Sequence, residues 1–547
     1  MTINAAATLT VGATGTGTVT IGSATAMGNG NISTTSLIVN GTLVSGNINQ
    51  RPGNRTMGSG GDGKTNLTIN STGTVTVTGD VTGTSLNGTG TGTASASVVF
   101  TGTGTLNVTG IFTTSVFTPS TGIVNYNGTT LQTLNSAYTT YGTLKVNNSV
   151  GVTLTAATSV TNLTLGDIKT GSIFNDGGFQ LTSNGVFNLN SGTFNIGSGA
   201  IATSYPPFTT NNIAAGTTVN YASTAAQTIV AVNYGNLTNT GNGPRTLASS
   251  GTIGIKNSFT PSTVANTITG STIDFNGSTA QTIPAFNYNN LKVSNTNANI
   301  TLAASGTIGV AGTFTPNTGT AFGAYANSTV SFNGTSAQTI PQFTFNNLTI
   351  NNTAGVSSIG GDVTVNQSLA LTNGIVTTGA SKIIVGPTGS SSRTNGWVNG
   401  NLQKYFSSTN NTNTFEVGGS TPGTYRPVGI SFSTAGLTAG NLTVSQLNGP
   451  HPQIANAGIS PVINPYWNVT SGGVAGTYSA TFTFLGTDAS SAGIGNPASM
   501  VANQYSSSVW TTTTPGANSA TTNQSTGLTT FGDFVIGITT GIPQVTT

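Results

Sequence analysis

Hydrophobic and polar residues alternate along most of the chain in short runs, as in "FTFNNLTI" at residues 343–350. The aromatic and aliphatic residues of this run would face one side of a strand and its threonines the other. We predict that the paired asparagines at 346–347 form a corner between two short strands, because asparagine tolerates a left-handed backbone. No segment shows the 3.6-residue spacing of an amphipathic helix. The pattern therefore predicts an all-β protein.

A motif centred on glutamine recurs along the chain. It reads "LQTL" at residues 131–134 and "AQTI" at residues 226–229, 280–283 and 337–340, so the last three copies are 54 and 57 residues apart. An aromatic residue precedes most copies, and a string such as "NYNNL" follows. Self-similarity at this period is typical of stacked units that bury their apolar faces against their neighbours.

Short strands separated by Asn or Gly corners, without two-residue hairpin turns, favour a coiled ribbon over a hairpin meander. We predict that residues 1–385 form a rod, a right-handed parallel β-helix or β-solenoid, with the clearest repeats at residues 215–375. With coils of roughly 20 residues, each repeat would span two to three coils.

A change in composition marks a second domain. The three tryptophans (Trp397, Trp467 and Trp510) and the only histidine, His451, all follow the repeats. Alternating strings such as "RPVGISFS", "YSATFTFLG" and "FGDFVIGIT" recur there at the spacing of an antiparallel sandwich. We predict an Ig-like β-sandwich at residues 393–547.

Charge is scarce, since only 4% of the 547 residues are charged and the net charge is +3. No cluster of Lys and Arg is present to bind nucleic acid, and no apolar run approaches the ~20 residues that cross a bilayer. The absence of cysteine excludes disulfides and cysteine-based metal sites. No secretory signal is visible at the start of this numbering, although the other features suit an exported protein.

Candidate catalytic residues are few. Asp167 and Asp176 are the closest acids in the sequence and could meet on adjacent coils near Lys169, as paired carboxylates do in glycosidases. Aspartates beside glycine are, however, typical turn residues. His451 lies between two prolines without a second histidine, and "GSGGDGK" at 58–64 lacks the spacing of a phosphate-binding loop. We therefore predict no catalytic, cofactor or metal site, and no enzyme.

Two features of the sequence, the threonine runs and the tryptophans, could form binding surfaces. Threonine at alternate positions in residues 14–20 and 74–84 would suit a flat ice-binding array, but its uneven spacing favours ordinary solvated strands. The tryptophans could stack on sugar rings, although sandwich domains normally bury one or two of them in the core.

The runs at residues 394–406, 415–433, 465–489 and 525–538 resemble the pre-terminal module of very large surface proteins of gliding-type bacteria that use type IX secretion. The "GTSAQTIPQFTFNNLTINN" repeat is similar to repeats that precede this module. Further domains and a sorting segment usually follow it in that family, whereas this sequence ends at "GIPQVTT". The resemblance implies export, surface display and an adhesive or structural role, and it supplies no catalytic motif.

A chain with so little charge has little electrostatic repulsion between copies, and open coil ends can template further strand pairing. The sequence therefore predicts a structural protein without cofactors, located outside the cell or on its surface. It would be the subunit of a filament or matrix fibre in which residues 1–12 of one copy contact the sandwich of the next, head to tail. The alternative is a monomeric stalked adhesin whose sandwich binds surface glycans.

Overall fold

The computed structural model describes residues 1–22, 34–52, 63–83, 94–296, 300–317, 327–358 and 361–540. The chain divides into two compact units, Met1–Gln281 and Thr282–Thr547. Together they contain a β-solenoid of about 13 turns followed by a sheet-rich C-terminal region, which confirms the predicted fold class. The helical elements of the described residues are the α-helix Gly486–Ser491 and three single 3₁₀ turns: Ala13–Gly15, Ile454–Asn456 and Pro497–Ser499.

The first unit is built from parallel strands, and successive coils add strands to the same sheets. One sheet contains, in spatial order, Thr2–Ile3, Thr34–Val39, Lys64–Ile69, Ser95–Phe100 and Val116–Thr118. A second contains Thr8–Thr10, Thr42–Ser45, Thr74–Val77, Thr105–Val108, Ile123–Tyr126, Thr140–Val146, Thr158–Leu165, Val186–Leu189 and Thr210–Ile213, with Leu181–Ser183 beside Thr158–Leu165. A third contains Phe112–Thr113, Val81–Gly83, Asn47–Arg51 and Thr18–Gly22.

Later coils of this unit use a fourth set of parallel strands. In spatial order these are Gln132–Thr133, Val152–Thr153, Ile173–Asn175, Thr193–Ile196, Thr218–Tyr221, Asn233–Thr238, Ile253–Thr260 and Thr272–Phe275. A short pair lies beside them, Gln227–Ile229 with Arg245–Leu247.

The second unit begins with further parallel strands. These are Asn287–Tyr288, Asn290–Val293, Ile300–Leu302, Thr307–Val310, Phe314–Thr315, Thr329–Phe332, Gln338–Ile340, Thr344–Asn351, Val356–Ser358, Val363–Asn373, Ile375–Val385, Ser390–Arg393 and Trp397–Phe406, and the strand Gln281–Ile283 lies at the division between the units.

Two antiparallel sheets complete the second unit. One runs from Trp397–Phe406 through Gly440–Leu447, Tyr466–Gly472, Gly532–Thr539 and Val501–Ser506 to Val509–Thr512, with Ile459–Val462 beside Gly532–Thr539. The other is Thr412–Phe415, Val428–Phe432, Tyr478–Thr483, Thr522–Leu528 and Thr514–Pro515. The sheets pack face to face, since the Phe482 ring lies 5.2 Å from that of Trp467 and 4.8 Å from that of Phe534, both on the first sheet.

The strand Trp397–Phe406 belongs to both kinds of sheet. It pairs in parallel with Ile375–Val385 and antiparallel with Gly440–Leu447. Parallel coiling therefore gives way to antiparallel pairing within one continuous strand. In the part of the chain that the structure describes, no helix combines the length and apolar character needed to cross a bilayer.

Coil length varies along the solenoid. Thr42 pairs with Thr74, which lies 32 positions further on, whereas Thr105 pairs with Ile123, only 18 positions further on. The predicted length of roughly 20 residues is therefore wrong for the first coils. The third-sheet strand is not the cause of the difference, because the short coil also contributes one, Phe112–Thr113.

The corner at Asn40 and Gly41, between the strands Thr34–Val39 and Thr42–Ser45, is of the predicted kind. A Cβ atom on Gly41 would lie 2.2 Å from the carbonyl oxygens of Asn4 and Ala7, so only glycine fits where the coils approach so closely.

The predicted corner at Asn346 and Asn347 is wrong. Thr344–Asn351 is one continuous strand, and its pairing with Val363–Asn373 shifts register between Phe345 and Asn347. The asparagines thus lie at a bulge, because parallel neighbours on both sides keep the backbone extended.

Candidate functional site

The glutamine of the repeat motif is a buried structural residue in all four copies. Its carboxamide oxygen accepts a hydrogen bond from the backbone N–H four residues earlier, which closes the corner before the strand. Its carboxamide nitrogen donates to two backbone carbonyls earlier in the chain. We call this arrangement the glutamine clip, and its four members are Gln132, Gln227, Gln281 and Gln338.

The clip at Gln132 shows the geometry. Its Oε1 atom lies 2.9 Å from the Gly128 nitrogen, and its Nε2 atom lies 3.1 Å from the Val108 oxygen and 2.9 Å from the Gly110 oxygen. Asn148 donates a further hydrogen bond of 3.0 Å to Oε1. Gln132 is only 5% exposed, so its carboxamide has little contact with water. These hydrogen bonds replace the lost bonds to water, without which burying the carboxamide would destabilise the fold.

Asparagines form ladders across successive coils. Asn125 donates to Asn107 and Asn147 donates to Asn125, each at 2.9 Å. Asn147 also donates to Asp167 at 2.6 Å, so the carboxylate terminates this ladder. These amides stabilise the coil stack through side chains that repeat with the strands.

Asp167 and Asp176, the two candidate catalytic carboxylates, have separate structural roles. Asp167 forms an ion pair of 2.6 Å with Lys145 instead of the expected Lys169. Asp176 is 2% exposed and accepts hydrogen bonds from the Gly197 and Gly178 amides, as well as from a buried threonine hydroxyl. Their hydrogen-bond partners differ, and each carboxylate supports the coil in which it lies.

The pKa values of these carboxyl groups move in opposite directions. Burial raises the pKa of Asp176, and its hydrogen bonds only partly oppose this. Burial also acts on Asp167, but hydrogen bonds from Lys145 and Asn147 outweigh it and lower the pKa of that carboxyl.

We therefore expect opposite effects of acid at the two sites. The stabilisation from Asp167 is fully present above its unfolded-state pKa and is lost as the pH falls through its lowered folded-state pKa. The contribution of Asp176 is present below its unfolded-state pKa and is lost as the pH rises through its raised folded-state pKa. Carboxyl carbon NMR should show Asp167 titrating below, and Asp176 above, the ordinary value of ~3.9. An Asp167→Asn variant identifies the first resonance, and coincident titrations would contradict the assignment.

His451 is buried in the C-terminal unit, in a loop as predicted. Its Nδ1 atom accepts the backbone N–H of Gln453 at 3.0 Å, so the ring proton lies on Nε2, which donates to Asp533 at 3.0 Å. Three aromatic rings pack around it at 5.0 to 5.1 Å: Tyr466, Tyr505 and Trp510. Both ring nitrogens are engaged, and within the described ranges no group of three or more His, Asp or Glu is placed to hold a metal. Most of the "GSGGDGK" segment at 58–64 lies outside the described residues.

All three tryptophans are buried, which confirms the core interpretation of these residues. Trp467 is fully buried, Trp510 is 5% exposed and Trp397 is 6% exposed. Each indole N–H donates to a backbone carbonyl, and that of Trp397 binds the Gly419 oxygen at 2.8 Å. Trp397 differs from the others in that it also lines a pocket.

A buried ionic cluster that was not predicted from the sequence lies at the start of the sandwich. Lys404 Nζ lies 2.8 Å from Glu416 Oε2, and the two side chains are 5% and 8% exposed. Ser391 donates to the other carboxylate oxygen at 2.8 Å and also contacts Lys404, which in turn donates to the Thr414 carbonyl. Burial lowers the pKa of Lys404, and Glu416 opposes this shift. Lys404 is therefore held in a buried network that includes Glu416, Ser391 and the Thr414 carbonyl.

A pocket of about 550 Å³ lies on the second unit, beside four successive parallel strands and a loop that contains Ser420 and Pro422. None of the residues that line it is charged. Its lining residues include Trp397, Asn373 and Asn395.

The two pocket amides belong to an asparagine ladder near the surface. Asn395 donates to Asn373 at 3.2 Å, and Asn373 donates to Asn351 at 2.7 Å. The ladder holds the Asn373 side chain in one orientation at the pocket, while Asn395 is exposed at the rim.

No known protein family, curated protein or solved structure matches this chain.

Proposed function

We propose that this chain is a non-enzymatic structural protein, the subunit of an extracellular or cell-surface filament or matrix fibre. The observation that carries the proposal is the glutamine clip: the glutamine present in all four copies of the motif is buried and binds backbone atoms of its own and the preceding coil. The repeated glutamine thus stabilises the stacking of one coil on the next. Export and surface display are part of the proposal, and the resemblance to type IX secreted surface proteins supports them.

Head-to-tail assembly is supported by open strand edges in both units. Within the described residues, the first-coil strands Thr2–Ile3, Thr8–Thr10 and Thr18–Gly22 each pair on one side only. The strand Val509–Thr512 also pairs on one side, and Val509 is 57% exposed. Unpaired strand edges present backbone donors and acceptors to a neighbouring chain, and few charges oppose the approach.

A lysine on an open edge should prevent assembly, because strand addition would bury its charge. We expect Val509→Lys, or Thr10→Lys in the first coil, to shift the protein from fibres to soluble monomer. Analytical ultracentrifugation and negative-stain microscopy measure the change.

Ile168→Lys is the matched control, since Ile168 is 74% exposed and lies in a turn outside the strands. This variant should assemble as the unmodified chain does. Fibres of unchanged axial repeat from both edge variants would show that the joint lies elsewhere, and a monomeric unmodified chain would contradict the fibre itself.

The uncharged pocket beside Trp397 favours a second candidate function, a monomeric stalked adhesin that binds glycans. The two candidates differ in stoichiometry, so the same ultracentrifugation experiment distinguishes them.

A further inference from the structure

We propose that the pocket at Trp397 is a binding site for a neutral saccharide. The proposal gives the second candidate function a specific site in the second unit, and it holds whether or not the chain polymerises. It rests on three properties of the residues that line the pocket: they carry no charge, several of them are polar, and two of them are held by hydrogen bonds.

The absence of charge among the lining residues selects against ionic ligands. An ionic group entering this pocket would lose water and meet no opposite charge among the lining residues; the nearby Arg393, which lies 6.0 Å from the Trp397 ring centroid, is outside the lining. The volume of about 550 Å³ is typical of small-ligand sites, which span roughly 300–1,000 Å³. The expected ligand is therefore neutral and small, or a short part of a neutral polymer.

The polar groups of the pocket suit a ligand rich in hydroxyls. The carboxamides of Asn373 and Asn395 and the hydroxyls of Thr353, Thr377 and Ser420 supply both donors and acceptors. A hydroxyl also donates and accepts, so a sugar can pair with these groups. An apolar ligand would bury them without partners.

The apolar part of the wall suits the C–H face of a sugar ring. Ile375 and Pro422 contribute it, together with the small accessible part of Trp397, which is 6% exposed. The indole is fixed by its hydrogen bond to Gly419, and Asn373 is fixed by the ladder, so binding would require little further ordering of these side chains. The pocket therefore has apolar and polar lining residues, no charged ones, and side chains already held in place. These are the features expected of a site for a neutral sugar.

Tryptophan fluorescence tests the proposal on the full chain. We expect saturable changes on titration with at least one of three neutral probes, namely cello-, malto- and chito-oligosaccharides, and none with oligogalacturonate, which is acidic. Asn373→Ala/Asn395→Ala should weaken binding by about tenfold or more, as the loss of two hydrogen bonds predicts. Ala337→Arg, which places a large charged side chain at an exposed lining position, should abolish it.

Asn212→Ala is the matched control, because Asn212 is an exposed ladder residue outside the pocket that donates to Asn188 at 2.8 Å. It should bind as the unmodified chain does. The proposal is overturned if none of the neutral probes binds, if the double variant binds unchanged, or if the acidic probe binds equally well. Fibre formation is scored separately by ultracentrifugation, so failure of either proposal is recognised independently.

Discussion

The Lys404→Met variant is expected to lose about 3–5 kcal/mol of unfolding free energy, the usual effect of removing one partner from a buried ion pair. Methionine fills much of the space of lysine but leaves the Glu416 carboxylate, which is 8% exposed, without its cation. Ser391 would remain as a hydrogen-bond donor and cannot neutralise the charge. Urea unfolding followed by circular dichroism measures the change.

Two further variants show whether charge is the cause. Lys404→Met/Glu416→Leu removes both charges and should recover most of the lost stability. Lys382→Met breaks a surface pair in the same unit, with a distance of 3.8 Å to Asp362 and exposed fractions of 36% and 43%, and should cost less than ~1 kcal/mol. Equal effects of Lys404→Met and Lys382→Met would contradict the role of burial.

The Gln132→Leu variant should destabilise the first unit by roughly 3–5 kcal/mol. Leucine preserves most of the side-chain volume but leaves the Gly128 N–H and the Val108 and Gly110 carbonyls without this partner. Each buried polar group that loses its partner costs ~1–3 kcal/mol. The urea midpoint should fall, and the Gly128 amide should exchange its hydrogen faster.

Thr133→Ala changes the exposed neighbour on the same strand, and its effect should stay within ~0.5 kcal/mol. If Gln132→Leu unfolds at the same urea concentration as the unmodified chain, the glutamine clip does not stabilise the coil stack.

The fold could be predicted because two of its features are visible in the sequence itself. Apolar and polar residues alternate where one face of a strand is buried, and the motif recurs at the spacing of stacked coils. The clip was missed although its signal was present. In "AQTI" the glutamine lies two positions before isoleucine, so Gln227 and Ile229 share a strand face, and both are buried. A polar residue in the phase of the core indicates a buried hydrogen-bond network.

The rest depended on contacts that local pattern does not encode. Lys404 lies in the strand Trp397–Phe406 and Glu416 directly follows the strand Thr412–Phe415, so they meet only in the folded chain. The prediction that Asp167 lies near Asp176 and Lys169 relied on their closeness in the sequence. In the fold, the ion-pair partner of Asp167 is Lys145, which lies 22 positions earlier in the chain. The pocket combines residues from 337 to 422 and has no sequence signature.

The glutamine clip has a consequence for how such a chain can change in length. On the preceding coil, Gln132 and Gln338 bind backbone carbonyls alone, and every residue has a carbonyl. A duplicated coil pair would therefore find carbonyl acceptors for its glutamine nitrogen on any coil that preceded it, although its asparagine ladders would still need matching partners. The clip itself therefore places little restriction on the number of coils that a solenoid of this kind can contain.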